Sequence, residues 1–456
     1  MRSVRTASAA VGGARERPRL RPLKDHVRKP ITDSRGSPAA EKGLRSTDYI
    51  PNMRSSHASP ATEEVPSERK APPLPVSKPL RILHVISGLG QGGHEMQLFH
   101  YIRGTQVECE HRVISLSAGG VYRDRLRNLG IVVKDLRRRG RGDPHRLLRL
   151  VTEVRRFRPD IIHGHLFTGN LYGYLATRLA FPVGKRPPLL SARVTSHPKR
   201  PAVADRLERT VFRRSRFVVV NAEILREEVC MTYGVSPTRV RYLPNIVDPE
   251  ALEVSQTRRE VRSELGLADG DLAVGHIGSF SPEKRHDLLL EAFADAASRE
   301  PALRLVLIGG GSRMDEIRRR ADELGIPGGR VLWLGWRGDV PRLLRGMDLT
   351  VNSSDREGCS NAILESLAMS IPVVATRVGG TPETLGHGDA GVLIPPGDVS
   401  ALSAALTDLA RDEPRRVRLA EAGLRLVWRR HSPDVAFPIL LSIYQEASLS
   451  QGVVPS

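Results

Sequence analysis

The stretch SDREGCSNAILESLAMSIPVVAT, residues 354–376, sets two glutamates, Glu357 and Glu365, eight positions apart around a turn of Gly, Cys, Ser and Asn. DLTVNSS before it reads as a strand, and SNAILESLAM reads as a helix with Ser360 at the N-cap position. Glu357 then lies in the loop and Glu365 one to two turns into the helix, off the apolar face marked by Ile363, Leu364 and Leu367. Gly358 and its neighbours Cys359, Ser360 and Asn361 let the free N–H groups of the helix start face an anion between the two acids. A phosphate at the helix start and a diol at each carboxylate together describe a nucleotide sugar. The bland alternative is two unrelated surface acids.

Other loops that follow apolar runs add to this. SGLGQGGHEMQL carries Gly92 and Gly93 ahead of a helix beginning near His94, where the backbone can approach an anion, although strict GxGxxG spacing is absent and a tight turn would read the same way. PDIIHGHLFTGN places His163 and His165 on one face of a strand; no third ligand is legible beside them, which argues against a metal. His165, at the strand end, can bond a substrate hydroxyl, act as acid or base, or be a satisfied core histidine. In IGSFSPEKRHDLLLEAF, Lys284 is the only lysine after Lys199 in a chain of nine lysines and 61 arginines. A compact ammonium at a helix start suits a phosphate, with Arg285 beside it, though a solvated lysine would look alike. IGGGSRMDEI offers Gly309 and Gly310 after another strand, a weak sign by itself. Asp269–Asp271 precedes a strand rather than following one and reads as a polar turn.

These loops need a scaffold that gathers strand ends. From Leu80, apolar runs (RILHVIS, HRVISLS, DIIHGH, PLLSARV, RFVVVN) alternate with amphipathic stretches such as HEMQLFHYIRG and NLYGYLATRLA. The pattern repeats through LAVGHIGSF, LRLVLIGG, RVLWLG, DLTVNSS and IPVVATRV. Short buried strands alternating with helices predict two α/β domains with doubly wound parallel sheets, over residues 80–248 and 249–425. In such sheets ligands bind at the carboxyl ends of the strands. DVAFPILLSIYQEA, within residues 426–456, predicts one more helix, with Phe437, Leu440, Leu441 and Tyr444 on its buried side.

The chain has 456 residues, a net charge of +19 and three dispersed cysteines without metal-ligand spacing. Residues 1–79, rich in Arg, Pro and Ser, hold 16 Lys+Arg against 8 Asp+Glu and so carry +8 of that charge. They read as a disordered basic extension. No apolar run reaches the ~20 residues of a membrane-spanning helix, and the cysteine usage fits a reducing, cytoplasmic compartment.

EGCSNAILE resembles the Glu, seven residues, Glu motif of the retaining glycosyltransferases of family 4, which have the GT-B fold of two facing Rossmann-like domains. The similarity continues through GQGGHE, PDIIHGH, YLPNIVD, SPEKRHDLLLEAF, VLWLGWRGDVPRLL and TRVGGTPE in the family's order, over about residues 80–430. The resemblance implies a donor held mainly by the second domain, an acceptor by the first, and a final helix crossing back. It implies that Glu365 binds the ribose hydroxyls of a UDP- or GDP-linked sugar, Glu357 and His165 the transferred sugar, and Lys284 the diphosphate. The amides near Gly358–Asn361 and Gly92–Gly93 add donors, with no cofactor and no metal required. Where many members have Gly-Arg-Leu, this chain has Gly278, Ser279 and Phe280, so the arginine that shares phosphate binding is missing.

The implied activity is hexosyl transfer to a glycan or lipid-linked acceptor in exopolysaccharide or surface-glycan assembly. A nucleotide-sugar 2-epimerase of similar fold and a non-catalytic relative are the alternatives. A nucleic-acid binder is disfavoured by the 4% aromatic content, which leaves few stacking platforms. Arg193, Lys199 and Arg200 in SARVTSHPKR are candidates for an acidic acceptor. The Arg-rich residues 135–158 are candidates for an anionic membrane surface, where the protein would be peripheral on the inner face, or simply for a solvated helix face.

Overall fold

The computed structural model describes residues 78–138, 143–195 and 201–449. Apart from Lys78 and Pro79, the basic extension expected over residues 1–79 lies outside the described residues.

Seven parallel strands form the first sheet: β1 (Leu80–Ile86), β2 (Cys109–Ser115), β3 (Val132–Asp135), β4 (Ile161–His165), β5 (Leu189–Arg193), β6 (Phe217–Val220) and β7 (Val240–Tyr242). Their order is β3-β2-β1-β4-β5-β6-β7. Six parallel strands form the second: β8 (Leu272–Ile277), β9 (Leu303–Ile308), β10 (Val331–Gly335), β11 (Leu349–Asn352), β12 (Val373–Thr376) and β13 (Val392–Ile394), in the order β10-β9-β8-β11-β12-β13. The doubly wound α/β fold expected for each half is therefore present, and helices cover both faces. That is why β6 reads FVVV with every residue buried instead of alternating. β3, β7 and β13 lie at sheet edges and bury one residue each, so they lack the continuous buried run that marks the central strands and form by pairing on a neighbour.

In both sheets the strand order reverses beside the first strand, between β1 and β4 and between β8 and β11. Crossovers leave in opposite directions there, which opens a crevice at the carboxyl ends. The loops of Gly92–Gly93, His165, Lys284 and Glu357 leave these four strands, whereas the Gly309 turn follows β9 and the Arg193 segment leaves β5.

The helix Pro433–Leu449 returns to the first sheet, burying Ala436, Leu440, Ile443, Tyr444 and Ala447 against Ile82, Tyr101, Ile161 and Phe217. Burial of each large aliphatic side chain contributes roughly 1.5–3 kcal/mol. Of the expected buried side, Leu440 and Tyr444 are fully buried, whereas Phe437 and Leu441 are half-buried at its margin. Phe437 lies over the helix Gly93–Thr105 at Gly104, where a Cβ would come 1.9 Å from its ring. No described helix is long and apolar enough to cross a membrane.

Candidate active site

Asn352 ends β11, and the chain then loops through residues 353–360 into the helix Asn361–Ala368. The loop carries Glu357 back under the strand end. Its Oε1 accepts hydrogen bonds from Asn352 Nδ2 (3.2 Å) and Ser354 Oγ (2.8 Å), and ion-pairs with Lys284 Nζ. Oε2 carries no hydrogen bond from any described residue and is free to accept from a ligand. Lys284 arrives from the β8 side on a 3-10 turn, Pro282–Lys284, locked by Ser353 Oγ donating to the Lys284 carbonyl (2.8 Å). Lys284 and Glu357, 73 positions apart, thus meet across the β8–β11 crevice.

Ser360 occupies the N-cap position of the Asn361 helix, but its side chain does not cap it; Ser360 Oγ accepts from Asn352 Nδ2 at 3.2 Å. The first N–H groups of this helix are therefore left to whatever anion approaches. Glu365, on the same helix, is half-buried, and burial pushes its carboxyl up to about 7. It lines a 40 Å³ cavity shared with Met96, His100, Ile246, Asp248 and Asn361, between the two domains.

Asn361 also joins the domains. Its Oδ1 accepts from Gln97 Nε2 (3.0 Å) and Asn245 Nδ2 (2.8 Å), and its Nδ2 donates to the Gly93 carbonyl (3.0 Å). A Cβ on Gly93 would lie 2.5 Å from that Nδ2, so a side chain here would displace the Asn361 amide from its interdomain contacts. Gly92 is the N-cap of the Gly93 helix without side-chain capping. Gly358 packs likewise: a Cβ would lie 2.0 Å from the Val194 carbonyl oxygen and 2.9 Å from Asn221 Oδ1. Cys359 gives its carbonyl to Asn245 Nδ2 (3.0 Å), and burial pushes its thiol up to about 12, which keeps it protonated.

Other expected residues lie apart from this cluster. Arg285, in the left-handed region at φ 49°, turns its guanidinium to Asp287 and Asp355, each at 3.1 Å, rather than toward Glu357. Gly309, at φ +142°, is required where its backbone meets Gly278, a Cβ there falling 1.8 Å from the Gly278 carbonyl oxygen; Gly310 abuts Trp336. Ser279, at the missing-arginine position, pairs with Ser281 (3.1 Å), while Phe280 is buried and stacked on His286 with ring centroids 4.1 Å apart. Arg193 is 3% exposed and paired with Glu208 (3.1 Å) and Glu228 (2.5 Å), so burial and these partners withhold it from an acceptor. Lys199 and Arg200 lie outside the described residues. In the basic stretch, Arg146 binds Tyr172, Arg149 the Arg137 carbonyl and Arg155 the Leu179 carbonyl, so these three are spent on the protein itself. Asp271 closes the expected polar turn by accepting from Ala268 N (2.8 Å).

His165 ends β4 as expected, yet it is 2% exposed and both its ring nitrogens are bonded to other histidines: Nε2 to His84 Nδ1 (3.0 Å) and Nδ1 to His94 Nε2 (3.1 Å). The partners of this ring come from β1 and the Gly93 helix, as a single strand pattern does not disclose. Asn352, Ser354, Gln97 and Asn245 were equally unmarked. Asn245 lies within YLPNIVD, and Gln97 follows His94 by three positions on one helix face; those were the only signals.

This geometry, two facing parallel-sheet domains with an acid and lysine at the switch point of the second, is that of a GT-B glycosyltransferase. The sequence model described as Glycosyltransferase Family 4 matches residues 81–251, and that described as Glycosyl transferases group 1 matches residues 257–425. D-inositol 3-phosphate glycosyltransferase of Stackebrandtia nassauensis is 31% identical over 320 residues, covering 65% of this chain and 70% of that protein. The chain belongs to the family 4 glycosyltransferases. N-acetyl-alpha-D-glucosaminyl L-malate synthase of Bacillus anthracis is 29% identical over 213 residues, 46% of this chain and 55% of that relative, so the match spans about half of its length. The crystal structure of Anabaena Alr3699/HepE in complex with UDP and glucose superposes with a TM-score of 0.72 at 21% identity, over 80% of this chain and 100% of that one.

Proposed function

We propose that the protein transfers a hexose-type sugar, with retention at the anomeric carbon, from a UDP- or GDP-linked donor to a glycan or lipid-linked acceptor in surface-glycan assembly. The observation that carries this reading is the Lys284–Glu357 pair beside the uncapped start of the Asn361 helix. A diphosphate placed there meets a cation and the positive end of a helix dipole, which offsets its charge without calling on a metal. Glu357 Oε2 is left to accept from a sugar hydroxyl, and ionised Glu365 to accept from the ribose diol. The binding of UDP and glucose by Alr3699/HepE supports a nucleotide-sugar donor.

In the reaction, the bond from the anomeric carbon to the diphosphate oxygen breaks, and the acceptor oxygen bonds to the same face. The acceptor's proton passes to the departing phosphate oxygen. Lys284 stabilises the charge gathering on that oxygen, and the interdomain contacts of Asn361 hold the two substrates' platforms together. A surface-associated acceptor would place the protein at the inner face of the membrane.

A thermal-shift series with UDP, GDP and their sugars in the presence of a chelator, on the wild type and Glu365→Ala, tests the reading. One base is expected to raise the melting temperature of the wild type only, since a ligand at 100 times its Kd stabilises by roughly 2.7 kcal/mol. Absence of any shift, or an equal shift in the variant, overturns the donor site. Product analysis then separates transfer, which frees nucleoside diphosphate, from epimerisation, which alters the nucleotide sugar.

A further inference from the structure

Five histidines gather beneath the first-domain edge of the cleft. Register brings four of them together: Ile82 pairs with His111, His84 with His163 and Ile86 with His165, so His84, His111, His163 and His165 project from one face of β1, β2 and β4. His94 reaches them from the start of the Gly93 helix. Four of the rings form an unbroken chain. His94 Nε2 meets His165 Nδ1 at 3.1 Å, His165 Nε2 meets His84 Nδ1 at 3.0 Å, and His84 Nε2 meets His111 Nδ1 at 3.0 Å. His111 Nε2 then meets Thr105 Oγ1 at 3.0 Å.

The direction of the chain follows from its far end. Thr105 Oγ1 lies 2.7 Å from the Tyr101 carbonyl oxygen, and two acceptors that close need a proton between them. The hydroxyl has only one proton, so it donates to Tyr101 and must accept from His111 Nε2–H. A neutral imidazole carries one N–H, which leaves His111 Nδ1 bare and obliges His84 Nε2 to donate to it. The same step repeats at His165 and at His94. His94 therefore donates through Nε2 and is left with an unprotonated Nδ1, which has no partner among the described residues. Burial lowers the basicity of every ring in the chain, to about 4 for His94 and His111 and well below the ordinary value for His84 and His165, so all four are neutral at pH 7.

We propose that Thr105, through this chain, sets the tautomer of His94 so that its bare Nδ1 accepts a hydrogen bond from a hydroxyl of the sugar substrates, with His165 a positioning residue behind it. His94 is half-buried, follows Gly93 where that residue meets Asn361, and sits over the carboxyl end of β4 at the β1–β4 switch point. His165, with both nitrogens engaged, holds the His94 ring. The proposal rests on the reading of the cleft as the place of sugar transfer, but the tautomer assignment does not.

A metal ion is the competing use of these rings. Ligand atoms of His84, His163 and His165 lie within 4.8 Å of one another, and the buried His163 Nε2 has no partner among the described residues. His84 Nδ1 and His165 Nε2, however, are at hydrogen-bond distance, closer than the about 3.3 Å that two nitrogens on one tetrahedral zinc would keep. His163 instead contacts Tyr444 OH through Nδ1 at 3.1 Å.

The test is nitrogen-15 NMR of the histidine rings in the full chain, with Thr105→Val and Thr105→Ser. The wild type is expected to show His94, His165, His84 and His111 as Nε2–H tautomers. Thr105→Val should populate the Nδ1–H form of His94 and lower kcat for transfer about tenfold, as expected for one hydrogen bond of ~1.4 kcal/mol. Thr105→Ser, which keeps the hydroxyl, should restore both readouts. An effect on UDP-sugar hydrolysis without acceptor places the hydroxyl on the donor; an effect on transfer alone places it on the acceptor. An Nδ1–H His94 in the wild type, a Thr105→Val enzyme unchanged in tautomer or rate, or stoichiometric zinc in the purified protein each overturns the proposal.

Discussion

Replacing Lys284 by Met removes the cation from the diphosphate site while keeping most of the side chain's length. Lys284 and Glu357 side chains are 20% and 11% exposed, an environment for which an effective dielectric constant of about 20 is appropriate. A unit charge about 4 Å from the departing phosphate oxygen then stabilises it by about 4 kcal/mol. Losing that term lowers kcat by roughly a thousandfold. Stability should change far less, because Glu357 keeps Asn352 and Ser354 as donors and is not left a bare buried charge; partly exposed ion pairs contribute about 1 kcal/mol or less. The assay is nucleoside-diphosphate release under saturating donor, with calorimetric melting of both proteins. Turnover within tenfold of the wild type, or a rate loss that merely tracks unfolding, would refute the assigned role. Lys284→Ala should behave like Lys284→Met, since the charge is what matters.

Two further outcomes are expected. Burial holds the Glu365 proton up to about pH 7 in the folded chain, whereas the ordinary carboxyl gives it up near 4.5. The folded state binds more protons in that window, so this group's contribution to stability falls as pH rises from about 4.5 to 7. If the ionised carboxylate binds the ribose, affinity for a nucleotide sugar rises toward pH 8. Calorimetric titration should show this in the wild type and a flat profile in Glu365→Gln; identical profiles would remove Glu365 from the donor site. Gly104→Ala, a substitution that ordinarily stabilises a helix by up to about 1 kcal/mol, is instead expected to destabilise by roughly 1–3 kcal/mol, because the new Cβ would meet Phe437. Urea denaturation decides the sign, and a gain in stability would show that the C-terminal helix yields easily.

Much was legible in the chain before folding. Alternation of apolar runs with amphipathic stretches identified both parallel sheets, because buried strands and their covering helices each leave a local pattern. The acid-turn-acid stretch and a lone lysine in an arginine-rich chain marked the residues that β8 and β11 bring together, since loops at strand ends inherit their place from the strand order. Position in a loop did not disclose where a side chain turns. Arg193 and Arg285 read as cations for an acidic acceptor and a phosphate, and each is held by nearby carboxylates instead. Gly93 and Gly358 read as making room for a ligand, and they make room for the opposite domain.

The histidines show the division most plainly. His163 and His165 share a face by their spacing of two, which any strand imposes. His84 and His111 join them only through the register of β1 with β2 and β4, and His94 only through the packing of a helix on that sheet. Local periodicity is a property of consecutive residues and is written in the sequence. Which rings touch, and therefore which nitrogen carries the proton, depends on pairing between distant segments, and that was decided by the tertiary structure.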